Sequence, residues 1–118
     1  MSGGKSKLDQ RSLAFWAADC AERVLPCFEK EYPEDDRPRQ AIDAARAWAL
    51  GEIKVGEARA AALASHAAAR SADNPAARAA ARAAGHAAAT AHVAGHARHA
   101  ANYAKKAAEA ANTNPAER

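Results

Sequence analysis

His92, His96 and His99, with Tyr103 continuing the same line, are the side chains whose type and spacing come nearest to chemistry in this chain. At 100° per residue the four positions fall within about 60° of one another on a helix. Imidazoles at i and i+4 can share an ion such as Zn, Cu or Ni, which makes His92 and His96 the candidate metal ligands. Three rings spread along about 10 Å of one straight helix cannot all reach one ion without a bend. No Cys or carboxylate stands nearby in sequence to complete a set. The expectation is therefore no metal and no other cofactor, and either a polar seam or an exposed stripe that faces a partner. A second histidine, His66, falls on or beside the inner stripe of another helix. It is expected to be a structural group bonded to a backbone carbonyl or to Asp19 or Asp43. A His–Asp pair can act as a general base, but the hydroxyls of Ser65, Ser71 and Thr90 lie in no turn that would aim a nucleophile. The residues do not point to an enzyme.

Charge is unevenly distributed. The net charge is +3, and the first forty residues mix both signs. Between Asp73 and Glu109 there is no acid, while Arg78, Arg82, Arg98, Lys105 and Lys106 fall there. Histidine gains a proton below about pH 6.5, so His86, His92, His96 and His99 extend this positive surface in mild acid. A nucleic-acid surface would add clustered cations, stacking aromatics or side chains spaced to read base edges. These are missing, so the cations read first as a solvated face and next as a contact for an acidic protein surface, and nucleic acid is not an expected partner. Candidate contacts are Arg78, Arg82, His92, His96, Arg98, His99 and Tyr103.

Stepping along the chain gives the elements that must position these groups. Apolar residues recur at helical spacing throughout, and no strand pattern competes. The expected fold is an all-α, alanine-rich bundle of four to five helices. Residues 1–7 read as a disordered tail, 8–111 as a single helical domain and 112–118 as a frayed tail. Asp9 is the expected N-cap of a first helix whose stripe is Leu13, Trp16, Ala17, Cys20, Val24 and Cys27. Pro26 should kink or restart that helix, because it removes a donor and clashes with the carbonyl four residues back. Pro33 ends it, and Asp35 or Asp36 caps a second helix from about Arg37 to Leu50. Its inner face is Ile42, Ala45, Trp48 and Ala49, and Gly51 ends it. Ile53 and Val55 are expected to plug the bundle from a connector. A third helix from about Gly56 to Arg70 turns Arg59, Ala62, His66 and Ala69 to one face, with Leu63 alongside. Asn74-Pro75 is a strong helix start. The pattern then runs to Ala111, with Gly85 or Gly95 marking close packing, a bend or a break.

Roughly a third of the chain is alanine, so the hydrophobic fraction of 49% overstates the core. The large apolar side chains are few: Leu13, Phe15, Trp16, Val24, Leu25, Phe28, Ile42, Trp48, Leu50, Ile53, Val55, Leu63 and Val93 are nearly all of them. Full burial of each contributes about 1.5–3 kcal/mol, against about 1–2 kcal/mol per ordered residue. Alanine's helix propensity must supply part of the difference, and a homodimer would bury more. Cys20 and Cys27, seven residues apart, would lie about 10.5 Å apart on a helix, too far for a disulfide. They read as small buried hydrophobes. The polar opening residues suggest no secretory signal, and no apolar run is long enough for a membrane span. A cytoplasmic protein is the expectation.

Three stretches carry a resemblance. LAFWAADCAERVLPCFEK, DDRPRQAIDAARAWALGEIKVGEARAAALASHAAAR and AARAAGHAAATAHVAGHARHAANYA together resemble the immunity-protein-5-like family of bacterial immunity proteins, over about residues 8–108. The most distinctive pieces are Asp36-Arg37-Pro38, the ARAW of Ala45–Trp48 leading into Gly51-Glu52-Ile53, and AAGHAAATAHVAGH ending at His96. The resemblance implies an all-α fold and the neutralisation of a cognate toxin, beside polymorphic toxin systems, by tight non-catalytic binding. Trp16, Asp19, Asp36, Arg37, Pro38, Trp48, Gly51, Glu52, His66, Gly85, His86, His92 and His96 fit the family pattern, whereas His99 is a local addition. Of these, Asp19, Asp36, Arg37, Trp48, His66 and His86 are the expected structural polar set. The alternative reading is a helical bundle that binds a metal or small molecule on the histidine-lined face of its last helix.

Overall fold

A computed structural model describes residues 7–112, and the two expected tails lie largely outside the described residues. Five helices follow one another: α1 (Lys7–Glu29), α2 (Arg37–Ala49), α3 (Val55–Ser71), α4 (Pro75–Ala89) and α5 (His96–Asn112). No strand occurs among the described residues. The long C-terminal pattern is thus two helices, separated at residues 90–95.

Helix α4 is the centre of the bundle and packs against all four others. Its buried positions are nine alanines and Gly85. Methyl side chains let neighbouring helices approach from almost every side, and alanine also has the best intrinsic helix propensity. The start of α4 is fixed as the sequence suggests: Asn74 is the N-cap, its Oδ1 accepts from the Ala77 amide at 2.9 Å, and Pro75 follows. At the other end, the Gln10 amide of α1 donates to the carbonyls of Thr90 at 2.9 Å and Ala91 at 3.1 Å. Those carbonyls follow the last turn of α4, where the helix offers them no donor.

The core is more alanine-based than the large side chains suggest. Only Val24, Leu25, Phe28 and Ile42 among them are buried, together with alanines from all five helices. Trp16, Leu50, Val55, Leu63 and Val93 are exposed. The inner face of α1 is consequently rotated from the expected stripe, running through Ala14, Ala17, Ala18, Ala21, Val24, Leu25 and Phe28. Leu13, Cys20 and Cys27 stand at its edge, and both cysteines are free. Val55 plugs nothing; it opens α3 at the surface. Arg59 is likewise exposed rather than inward, and α3 buries Ala58, Ala62, Ser65, Ala68 and Ala69.

Two further expectations change at the helix ends. α1 starts before Asp9, which lies in its first turn, and runs through Pro26 without interruption. Pro26 is exposed one turn from the helix end, where a lost donor disrupts little. The end of α2 does follow the glycine rule. Gly51 has φ +78°, its amide donates to the Trp48 carbonyl, and the Glu52 amide donates to the Ala47 carbonyl. That pair of bonds is a Schellman motif.

Candidate functional site

The stripe Arg78, Arg82 and His86 repeats every four residues on the one side of α4 that its alanines leave free. α3 brings His66 against it, and α5 brings His96, His99 and Tyr103. His86 is the hub. Its ring centroid lies 4.8 Å from that of His66, 5.1 Å from His96, 5.2 Å from His99 and 5.3 Å from Tyr103, with the tyrosine nearly parallel at 8°. Lys106, one turn past Tyr103, places its ammonium 4.8 Å from that ring's centre. The result is a seam of four imidazoles, a phenol, an arginine and a lysine along α4, where α3 and α5 pack against it.

Gly85 makes the seam close-packed. A Cβ built there would stand 2.7–2.9 Å from three atoms of the His66 ring. Glycine in a helix costs roughly 0.5–1 kcal/mol relative to alanine, and here the missing methyl is the space the imidazole occupies. Of the two glycines suspected of marking packing or a break, Gly85 marks packing and Gly95 precedes the first turn of α5.

Hydrogen bonding fixes the proton positions. Arg82 Nη1 lies 3.0 Å from His66 Nδ1. A guanidinium can only donate, so His66 Nδ1 accepts and the neutral ring carries its proton on Nε2. His86 Nδ1 and His96 Nδ1 lie 2.9 Å apart, so one hydrogen serves both nitrogens. Burial holds the pKa of His66 down to about 4, with Arg82, His96 and Arg70 adding repulsion. Burial likewise lowers His86 to about 4, with His66, His96, His99 and Arg82 contributing. His96 is lowered too, by burial first and by His99 and His92 after it. The inner rings are neutral near pH 7, and the cations beside them oppose their charging.

The expected residues divide clearly. His96, His99, Tyr103 and Arg82 come together, and His66 and His86, expected to be structural, join them. His92 does not continue the α5 line; it is exposed in the link before the helix. Arg78 turns back to the end of α3, donating through Nε and Nη2 to the Ala72 carbonyl at 3.1 and 2.9 Å. Arg98 is exposed and lines a groove of about 260 Å³ with Leu13, Trp16, Ala94, Gly95 and Ala97. A second groove, of about 290 Å³, is lined by Cys20, Arg23, Val24, Ala101, Ala104, Lys105 and Ala108. Neither is lined by a histidine. Among the described residues His66 is bonded to Arg82, and not to Asp19 or Asp43, the acids offered beside a backbone carbonyl as its partner. Asp19 instead accepts from Arg46 at 2.8 Å, while Arg46 also binds Glu22 and ties α2 to α1.

The remaining structural polar residues act locally. Arg37 makes a bidentate pair with Asp35 at 2.9 and 2.7 Å, and Asp35 also accepts from the Arg37 amide. That pairing holds the Asp35 carboxyl below its usual range. Asp36 occupies the N-cap position without capping, and its carboxylate accepts from Gln40 at 2.7 Å. Trp48 is half-buried. The hydroxyls of Ser65 and Thr90 donate to the carbonyls of Ala81 and His86 at 2.8 and 3.0 Å. Among the described residues no group of three or more His, Cys, Asp or Glu is arranged to hold a metal ion.

The model of the family described as "Imm-5 like putative immunity protein" matches residues 5–118, nearly the whole sequence. No curated protein and no solved structure gives a significant match.

Proposed function

The chain belongs to the Imm-5 like immunity-protein family, and on that premise we propose that it neutralises a cognate bacterial toxin by binding it directly, without catalysis. Family membership over residues 5–118 is the observation that carries this reading. The geometry supplies a contact surface consistent with it. The α3–α4–α5 seam stands on three packed helices, so its rings and arginine are held in place before a partner arrives. Tyrosine and arginine are among the side chains that most often dominate protein interfaces. Exposed Arg98, Lys105 and Lys106 on the same helix can steer an acidic partner during encounter.

The Ser65 and Thr90 hydroxyls are engaged with backbone carbonyls. No described helix is long and apolar enough to cross a membrane, and we place the protein in the cytoplasm, where it would meet a toxin made or imported there.

The test is capture by the tagged full-length chain of the product of a small gene adjoining its own. A stable complex of fixed stoichiometry supports the reading. Changing Arg78 and Arg82 together to Glu should weaken that complex at least tenfold. Because Arg78 also holds the Ala72 carbonyl, the variant's thermal melt must be recorded alongside. Full affinity in a folded double variant would remove this face from the interface.

A further inference from the structure

We propose that the seam of His66, Arg82, His86, His96, His99 and Tyr103 is a receptor for a carboxylate side chain of the partner protein, and that docking draws a proton from solvent onto the imidazoles. This rests on the toxin-binding reading and names the chemistry of its partner. The first support is geometric. Three imidazoles, those of His66, His96 and His99, place their ring centres within 6 Å of that of His86, with the Arg82 guanidinium bonded to His66 and the Tyr103 phenol stacked on His86.

The second support is the sign of the surroundings. The charged groups that bear on His66 and His86 are Arg70 from α3, Arg82 from α4, and His96 and His99 from α5, with His92 acting on His96. Lys106 stands over Tyr103. All are cationic or become so, and no carboxylate is among them. α1 and α2 also pack on α4, but Asp19 and Glu22 of α1 are bound to Arg46. In α4, Ala80, Ala84 and Ala87 project to the side opposite Arg82 and are buried. Positive potential is thus concentrated on half-buried rings, and no carboxylate bears on them among the described residues.

An arriving carboxylate changes both balances. It accepts from the Arg82 fork in a charge-assisted bond, and its negative charge favours the protonated form of any ring beside it. The rings that burial keeps neutral in the free protein, with pKa held near 4 for His66 and His86, then take up protons at pH values where they were empty. The proton comes from the buffer and resides on an imidazole nitrogen. The hydrogen shared by His86 and His96 leaves room for just one more on that pair without breaking it. By linkage, affinity for the carboxylate rises as the pH falls into the range just above 4, where the free rings are still mostly neutral, and declines once the ligand acid itself protonates near pH 4.

The experiment follows the imidazole carbon-bound protons of the full-length chain by NMR through a pH titration. One sample contains sodium chloride alone, one a hexaglutamate peptide and one inorganic phosphate, all at equal ionic strength. The peptide should raise the titration midpoints of His66 and His86 by about half a pH unit or more, a roughly threefold preference for the charged ring. Arg82→Gln should remove most of that shift while leaving the helical circular dichroism unchanged. Midpoints that do not move with peptide overturn the proposal, as does an equal shift with chloride. A shift with phosphate and none with peptide overturns it in favour of a phosphate site. These outcomes are independent of toxin capture: a shift without any captured toxin leaves the carboxylate site and sinks the immunity reading, whereas capture without a shift does the reverse.

Discussion

At the scale of single residues, the closest coupling is between Gly85 and His66. Gly85→Ala alone should gain about 0.5–1 kcal/mol of helix propensity and lose a similar amount, because the new methyl displaces the His66 ring and its bond from Arg82. In a His66→Ala background the clash is gone and the same change should stabilise by nearly the full propensity gain. A double-mutant cycle by urea denaturation measures this directly; additive effects would mean that the ring yields freely. The sequence carried part of this site. It offered His96, His99 and Tyr103 as one line, because helical spacing is readable within one element. It could not show that His66 and His86 join that line, because their meeting depends on how three helices pack. The one available signal was Gly85 in an otherwise alanine-rich helix, and a glycine names no partner. His92 was misplaced for the complementary reason: the periodicity runs through residues 90–95 as though they were helical, whereas the backbone turns there.

Among the elements, helix ends were the most legible because they depend on local chemistry. Asn74-Pro75 and Gly51 do what their side chains dictate, and Asn74→Ala should cost about 1 kcal/mol in a chemical denaturation midpoint. Faces were less legible. In a sequence so rich in alanine, several stripes of each helix are apolar, and periodicity cannot choose among them. Helical spacing puts Trp16 on the apolar stripe and Leu63 beside the inner face, yet both lie outward, since the closest helix approaches are made by methyl groups and exclude large side chains. Pro26 provides a test of the opposite kind. It sits inside α1 with no amide to give, so Pro26→Ala should restore a bond to the Glu22 carbonyl. The expected gain is about 1–2 kcal/mol, the helix term reduced by the greater freedom of the unfolded chain. A loss of stability instead would show that Pro26 sets the exit of the chain from α1. The Arg46 link between α1 and α2 is half-exposed at each partner, so Arg46→Ala should cost no more than about 1 kcal/mol.

For the whole molecule, the buried imidazoles tie stability to pH. His66 and His86 have pKa values of about 4 in the fold, against about 6.5 in the unfolded chain. Between these limits the unfolded state binds more protons, so stability is full above about pH 6.5 and falls as the pH drops towards 4. The rings are partly exposed, and after discounting for solvent screening each contributes on the order of 1 kcal/mol to that loss. Thermal melts should therefore show Tm falling by several degrees between pH 7 and 4.5, and a His66→Gln, His86→Gln variant should flatten the slope in that window. Glu22 and Asp35, held low by their arginines, add to the loss at more acidic pH. All these properties belong to a bundle that presents one cationic, imidazole-rich seam, and the central claim is that such a surface neutralises a toxin. The most direct measurement is growth of a bacterial host expressing the product of a toxic gene adjoining this one, with and without this chain. Restored growth with the unaltered protein, lost when Arg82 is changed to Glu in a variant that still folds, is the result predicted here. Growth arrest that the chain does not relieve, although both proteins accumulate in folded form, would contradict it.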